Sequence, residues 1–93
     1  MKRGKRFANV WDALCDTPEE AANLSARSDL MLQITDIIEK NGWTQAEAAK
    51  QCHVTQPRIN DLLRGRIHRF SLDALVNIAA ALGRKVKVKL QAA

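Results

Sequence analysis

Two helix-start signals lie eleven residues apart near the middle of this 93-residue chain, and they determine where two short helices begin. Thr44 followed by Glu47 is a capping box, in which each side chain satisfies a backbone N–H at the start of a helix. Thr55 is a second N-cap candidate, and Pro57 is tolerated in a first helical turn, where no N–H donor is required. The first helix must therefore end near Cys52, and the spacing predicts two short helices joined by a tight turn.

The second of these helices has an apolar side and a polar side. Ile59, Leu62 and Leu63 recur at helical spacing and form a stripe that we expect to be buried. Glutamine and asparagine can pair bidentately with adenine in the major groove, and arginine can pair with guanine. The pattern is typical of a helix-turn-helix that reads DNA, although a helical hairpin with a solvated polar face is the alternative interpretation. The predicted base-reading residues, which lie opposite the stripe or flank it, are Gln56, Pro57, Arg58, Asn60 and Asp61.

Charge is distributed unevenly along the chain, whose net charge is +5. Residues 7–43 carry two basic and seven acidic side chains, whereas residues 44–93 carry nine basic and three acidic ones. The positive half is therefore the half that holds the predicted reading helix, as attraction to the phosphate backbone requires. We predict phosphate contacts from four of its side chains: Thr55, Arg64, Arg66 and Arg69.

The pattern of caps and breaks divides the chain into three parts. Residues 1–16 are predicted to form a basic tail and a short apolar segment, residues 17–83 a helical domain, and residues 84–93 a strand. A second capping box at 17–20 begins a helical pattern that continues to Lys40, although it weakens near Ser28 and leaves open whether there is one helix or two. Ser71 caps a last helix, which Gly83 ends.

The predicted strand carries Val86, Val88 and Leu90 on one side and lysines on the other. A single strand is not stable alone, so it needs a partner, either the segment around residues 7–11 or a strand from a second molecule. We favour a second copy of this chain. The strand then predicts a two-fold homodimer on a pseudo-palindromic DNA operator, with the three apolar residues at the interface, although the last helix is an alternative interface.

Other classes of protein are disfavoured by what the sequence lacks. No stretch approaches the roughly 20 apolar residues of a membrane span, and no apolar signal core follows the basic start. The spacing of Cys15, Cys52, His53 and His68 matches none of the usual zinc patterns, and His53 is better interpreted as a turn residue that tolerates left-handed backbone angles. Two unpaired cysteines suit a reduced, cytoplasmic setting. We therefore expect no enzyme, no metal and no cofactor.

Several segments together resemble a known family. Residues 44–49, 56–59 and 62–65 are similar to the Cro/C1-type helix-turn-helix, or XRE, family. With the segments 7–14, 70–75 and 81–86, the resemblance narrows to a subgroup of small XRE proteins that includes HigA-type antitoxins. It covers nearly the whole chain, from about Phe7 to Val88.

The resemblance implies an all-α, lambda-repressor-like bundle of about five helices with a C-terminal strand, which binds its own promoter as a dimer. It assigns a base contact to Gln56 and a phosphate contact to Gln45, and it allows Pro57 and Asp61 to read bases as well. The family often has glycine in the turn where this chain has His53.

The resemblance also leaves a choice of function. It suggests a transcriptional repressor that is the antitoxin of a type II toxin–antitoxin pair, whose partner would be a small basic toxin bound to the acidic first half of the chain. A stand-alone regulator of the phage or mobile-element type is an alternative. A protein–protein adaptor that has lost DNA binding is another, and it is favoured by Pro57 and by an acidic Asp61 on the reading face.

Overall fold

The computed structural model describes residues 10–92, so residues 1–9 of the basic tail and apolar segment predicted at 1–16 lie outside the described residues. Four helices of eight residues or more follow a short first helix, and a 3₁₀ turn separates the last two. None of these helices is both long and apolar enough to cross a membrane. The elements are α1 (Val10–Leu14), α2 (Pro18–Asn41), α3 (Gln45–Cys52), α4 (Gln56–Leu63), the 3₁₀ turn (Ile67–Arg69) and α5 (Leu72–Ala81).

The helices begin at the residues that the cap signals predict. The capping box of α3 is complete, because Glu47 N donates to Thr44 Oγ1 at 3.1 Å and Thr44 N donates to Glu47 Oε1 at 2.8 Å. Thr55 Oγ1 and Ser71 Oγ accept from Arg58 N and Ala74 N, and these single hydrogen bonds cap α4 and α5. The turn between α3 and α4 passes through His53, whose φ of 58° lies in the left-handed region. The predicted cap and turn roles are thus confirmed.

α2 is one continuous helix, which decides between the two possibilities that the sequence left open. It begins at the Thr17 cap and ends at Gly42, whose φ of 65° is the left-handed conformation common just after a helix. Its apolar stripe is interrupted because Arg27 occupies that face and is only half-buried. The buried residues on either side of the interruption are Ala21, Leu24, Met31, Ile34 and Ile38.

The core lies where α2 packs against α5 and where α3 packs against α4. Trp11 and Trp43 are half-buried and pack against this core. The free thiol of Cys52 lies within it, as its core-facing position in the sequence predicts. The largest fully buried side chains are Phe70, Ile34, Ile59, Leu62, Leu75 and Cys52.

The all-α prediction is confirmed for the described residues, but two details of it are not supported. The count of about five full helices fails because α1 is only five residues long. The strand predicted at the C-terminus is absent from residues 84–92, which form neither helix nor strand. A strand needs a hydrogen-bonded partner, and the candidate partner segment is helical from Val10 onward, while its earlier residues lie outside the described range.

Candidate nucleic-acid interface

The buried residues of α4 determine which of its side chains face outward. Ile59 and Leu62 are almost completely buried, and they fix the rotation of the helix against the rest of the domain. Gln56 and Pro57 are consequently exposed in the first turn, and Asn60 is half-buried one turn later. The Gln56 side chain makes no hydrogen bond with any described residue, so its amide is available to a ligand.

Three of the predicted phosphate contacts lie at the ends of the two short helices, whereas Arg66 and Arg69 lie in the segment after α4. Gln45 is exposed in the first turn of α3, and Thr55 is exposed at the N-cap of α4. The Thr55 hydroxyl oxygen accepts from Arg58 N at 3.4 Å, which leaves its own O–H able to donate to a phosphate oxygen. Arg64, at the other end of α4, is exposed. Donors at helix starts are suited to anions, because backbone N–H groups there point away from the helix.

Arg58 is placed differently from the other predicted base readers, because it turns back toward the domain. Its guanidinium carbon lies 4.2 Å from the centre of the Phe70 ring, a cation–π arrangement. Its Nη1 donates to the carbonyl oxygen of Arg69 at 2.7 Å. These contacts use one of its five N–H donors and one face of the guanidinium, so they restrict Arg58 without occupying its other donors, and base reading by this residue stays a prediction.

Asp61 is buried, whereas the helical wheel predicted it on the outer face. Its relative exposure is only 8%. Arg66 Nη1 donates to Asp61 Oδ1 at 2.9 Å, and Arg69 Nη1 lies 3.3 Å from the same oxygen and 3.4 Å from Oδ2. The prediction from helical spacing was wrong for Asp61, because spacing considers one helix alone. The residues that cover Asp61 come from the segment after that helix.

The charge state of Asp61 follows from these contacts. Burial by itself raises the pKa of this carboxyl, but the hydrogen bond from Arg66 and the charge and hydrogen bond of Arg69 outweigh burial, so the pKa is lowered. Because the pKa of Asp61 is lower in the folded state than in the unfolded state, its ionised carboxyl stabilises the fold. This contribution is complete above the ordinary aspartate pKa. It is lost as the pH falls through the lowered pKa, and at neutral pH the Asp61 carboxyl is ionised.

Arg27, on α2, holds the segment that follows the reading helix. Its Nη1 donates to the carbonyl oxygen of Phe70 at 3.1 Å and to that of Ile67 at 3.4 Å. The Ile67 carbonyl also accepts from Phe70 N, so the Phe70 carbonyl is the one that depends on Arg27. Sequence analysis did not identify this residue, and the available signal was a charged residue within the apolar stripe of a helix.

Removal of the Arg27 guanidinium should therefore loosen the 3₁₀ turn without emptying the core. We expect Arg27→Met, which keeps most of the aliphatic stem, to lower the free energy of unfolding by about 1–3 kcal/mol, because a partly buried carbonyl loses its donor. Urea denaturation followed by circular dichroism measures this loss. Arg84→Met is the matched control, since that side chain is exposed, and an equal loss in both variants would contradict the role given to Arg27.

The described residues offer no evident place for a metal ion. No three His, Cys, Asp or Glu side chains among residues 10–92 lie close enough together to hold one. Burial raises the pKa of the Cys52 thiol, which disfavours the thiolate that metals bind.

Comparison with known proteins agrees with this geometry. A family model described as a helix-turn-helix domain matches residues 13–91. The matched range contains α2, α3, α4 and α5 together with the turns that join them. No curated protein matches the chain.

Proposed function

Since the match spans most of its length, the chain belongs to the helix-turn-helix domain family, and we propose that it is a sequence-specific DNA-binding repressor that regulates its own gene. The observation that carries this proposal is the face of α4. There an exposed amide without a described partner, Gln56, leads the helix, and exposed arginines follow at its other end. The Gln56 amide can pair bidentately with adenine, and the arginines beyond it attract phosphate. This combination suits binding in the major groove.

Binding to DNA tests this proposal directly. The purified protein is titrated by fluorescence anisotropy, at two salt concentrations, against the DNA upstream of its own gene and against a scrambled duplex of equal length. We expect tighter binding to the upstream DNA, with a preference that persists at the higher salt concentration. Equal binding to the two duplexes, or none, would overturn the proposal.

Base reading and phosphate binding should separate in two single variants. We expect Gln56→Ala to weaken binding to the preferred duplex by about 1–3 kcal/mol and to relax base choice at one position. We expect Arg64→Ala to weaken binding to preferred and scrambled duplexes alike, and to reduce the slope of log affinity against log salt by about one unit. Both side chains are exposed, so neither variant should alter thermal stability. Equal losses on both duplexes for both variants would contradict this division.

The proposal includes a homodimer formed through the C-terminal segment. Val88 and Leu90 are 87% and 95% exposed, although both are large apolar residues. They alternate with Lys87 and Lys89, as in a strand that has one apolar side. Among the described residues this segment pairs with no strand, and pairing with the same segment of a second copy would supply a strand partner.

An antitoxin role is a narrower form of the same proposal. Leu14 is exposed and precedes exposed acidic residues at Asp16, Glu19 and Glu20, a combination that suits a basic partner protein. The predicted partner surface begins at Phe7, and its part before Val10 lies outside the described residues. Coexpression with any small basic protein encoded beside this gene tests the role. A complex that copurifies supports an antitoxin, and failure to copurify leaves a stand-alone regulator.

The adaptor alternative loses one of the two features that favoured it, although Pro57 remains exposed on the reading face. An acidic side chain on the reading face would repel phosphate, but both Asp61 oxygens accept hydrogen bonds from arginines. The net charge of Asp61 with Arg66 and Arg69 is positive. The repressor is therefore the better supported of the two functions.

A further inference from the structure

The Asp61 carboxylate is the one charged group that the described residues bury, and it lies within the reading helix itself. It binds two arginines from the segment immediately after that helix. Burial of an acidic group in a protein that must approach phosphate is unfavourable unless the group is paired, and here it is paired twice. Asp61 thus connects the reading helix to two exposed arginines. This connection suggests a role in DNA binding as well as in stability.

The two arginines are oriented by Asp61 but remain available for another ligand. Each uses Nη1 to reach the carboxylate, and a guanidinium has five N–H donors. The Arg66 side chain is 40% exposed and the Arg69 side chain is 61% exposed. Most of their donors can therefore still bind phosphate or a base edge. Arginine side chains lose conformational freedom when they bind, and a partner that already restricts them reduces that loss.

The carboxylate also changes the charge that DNA of any sequence would meet. With Asp61 ionised, the three side chains carry a net charge of +1, and without its charge they would carry +2. Attraction to the phosphate backbone depends on the number of positive charges that replace condensed counterions, and it does not depend on sequence. A carboxylate at this position therefore weakens binding to arbitrary DNA while it holds two guanidinium groups in a fixed arrangement.

We infer that Asp61 is a specificity-determining positioning residue, which orients Arg66 and Arg69 for bound DNA and lowers affinity for DNA of arbitrary sequence. The inference rests on the proposed function, since it concerns the same interface. It goes beyond that function by assigning discrimination between DNA sequences to a side chain that does not itself contact DNA. It also replaces the base-reading role that the sequence predicted for Asp61.

The test compares Asp61→Asn, which keeps the shape and removes the charge, with Asp61→Glu, which keeps the charge. A duplex that the wild-type protein enriches from a random library is the preferred probe, and its scrambled version is the other. For Asp61→Asn we expect tighter binding to the scrambled duplex and a slope of log affinity against log salt steeper by about 0.9. The preference for the enriched duplex should fall by roughly tenfold. Asp61→Glu should keep the wild-type slope.

A purely structural role for Asp61 gives a different result. Asp61→Asn would then melt at a lower temperature but keep the wild-type salt slope and duplex preference, and that outcome would overturn the inference. If Asp61→Asn does not fold, Arg69→Gln is tested in its place. Asp61 stays paired with Arg66 in that variant, so its charge is not left buried and unpaired. Arg69→Gln should bind the enriched duplex more weakly, with a slope shallower by about 0.9, and wild-type values for both would also overturn the inference.

The same experiment separates failure of the inference from failure of the proposed function. If the wild-type protein enriches no duplex and binds none, the proposed function is wrong and the inference falls with it. If the wild-type protein prefers its enriched duplex while Asp61→Asn behaves identically, only the inference is wrong.

Discussion

Replacement of Phe70 by alanine should lower the free energy of unfolding by about 3–5 kcal/mol, the range observed when large buried aromatic side chains are truncated. The Phe70 ring is almost completely buried in the core. It also lies under the Arg58 guanidinium, and its backbone carbonyl accepts from Arg27. One side chain therefore joins the core to the segment that carries Arg66 and Arg69. Urea denaturation followed by circular dichroism measures the loss.

Two further variants make this result interpretable. Phe70→Leu keeps most of the apolar volume and should cost about 1–2 kcal/mol, because the fit and the ring beneath Arg58 are lost. Leu32→Ala removes an exposed apolar side chain and should change stability by less than about 0.5 kcal/mol. If Phe70→Ala were no more destabilising than Leu32→Ala, the placement of Phe70 in the core would be wrong.

The parts of the fold that the sequence predicts correctly are those with local causes. A cap is decided by side chains three residues apart, so Thr44 with Glu47, and the hydroxyls of Thr55 and Ser71, are sufficient to place three helix starts. The turn at His53 is likewise local, since it depends on one residue in the left-handed region. Helical spacing also identifies Ile59 and Leu62 as buried in α4, although Leu63, the third residue of the predicted stripe, is only half-buried.

The parts of the interface that the sequence does not predict depend on contacts between distant residues. Arg27 reaches a carbonyl 43 positions away in the chain, and no helical pattern encodes that partner. Asp61 is assigned to the outer face by helical spacing, but Arg66 and Arg69 cover it from a segment outside the helix. Polar residues that serve as links between elements look the same in a sequence as polar residues that face solvent.

The C-terminal segment is a third feature that the sequence does not predict, because its alternating pattern describes only one of the two strands that must pair. An alternating pattern predicts which residues share one face of a strand. The strand itself forms only where a second strand supplies hydrogen-bond partners. The segment forms no strand in the described chain, and Val86 is the one of its three predicted interface residues that is half-buried. A second copy is the condition under which the predicted strand could form.

If the proposed dimer forms through this segment, removal of residues 86–93 should leave a monomer and reduce affinity for DNA that contains two half-sites by about 10²–10⁴-fold. The reason is that a linked pair of reading helices binds its second half-site at a high effective concentration, which separate monomers lack. Affinity for DNA with a single half-site should change little. Analytical ultracentrifugation measures the mass, and anisotropy titrations with one and two half-sites measure the binding.

The truncation also removes two lysines, so charge must be separated from dimerisation. Val88→Ser with Leu90→Ser keeps every charge, and because both side chains are exposed, the folded monomer should be unaffected. We expect this double variant to be monomeric and to lose affinity only for DNA with two half-sites. Lys87→Gln with Lys89→Gln keeps the apolar residues, and it should remain dimeric with a shallower salt slope. An unchanged mass for the serine variant would show that the two copies meet elsewhere, and a wild-type protein that sediments as a monomer would exclude the dimer.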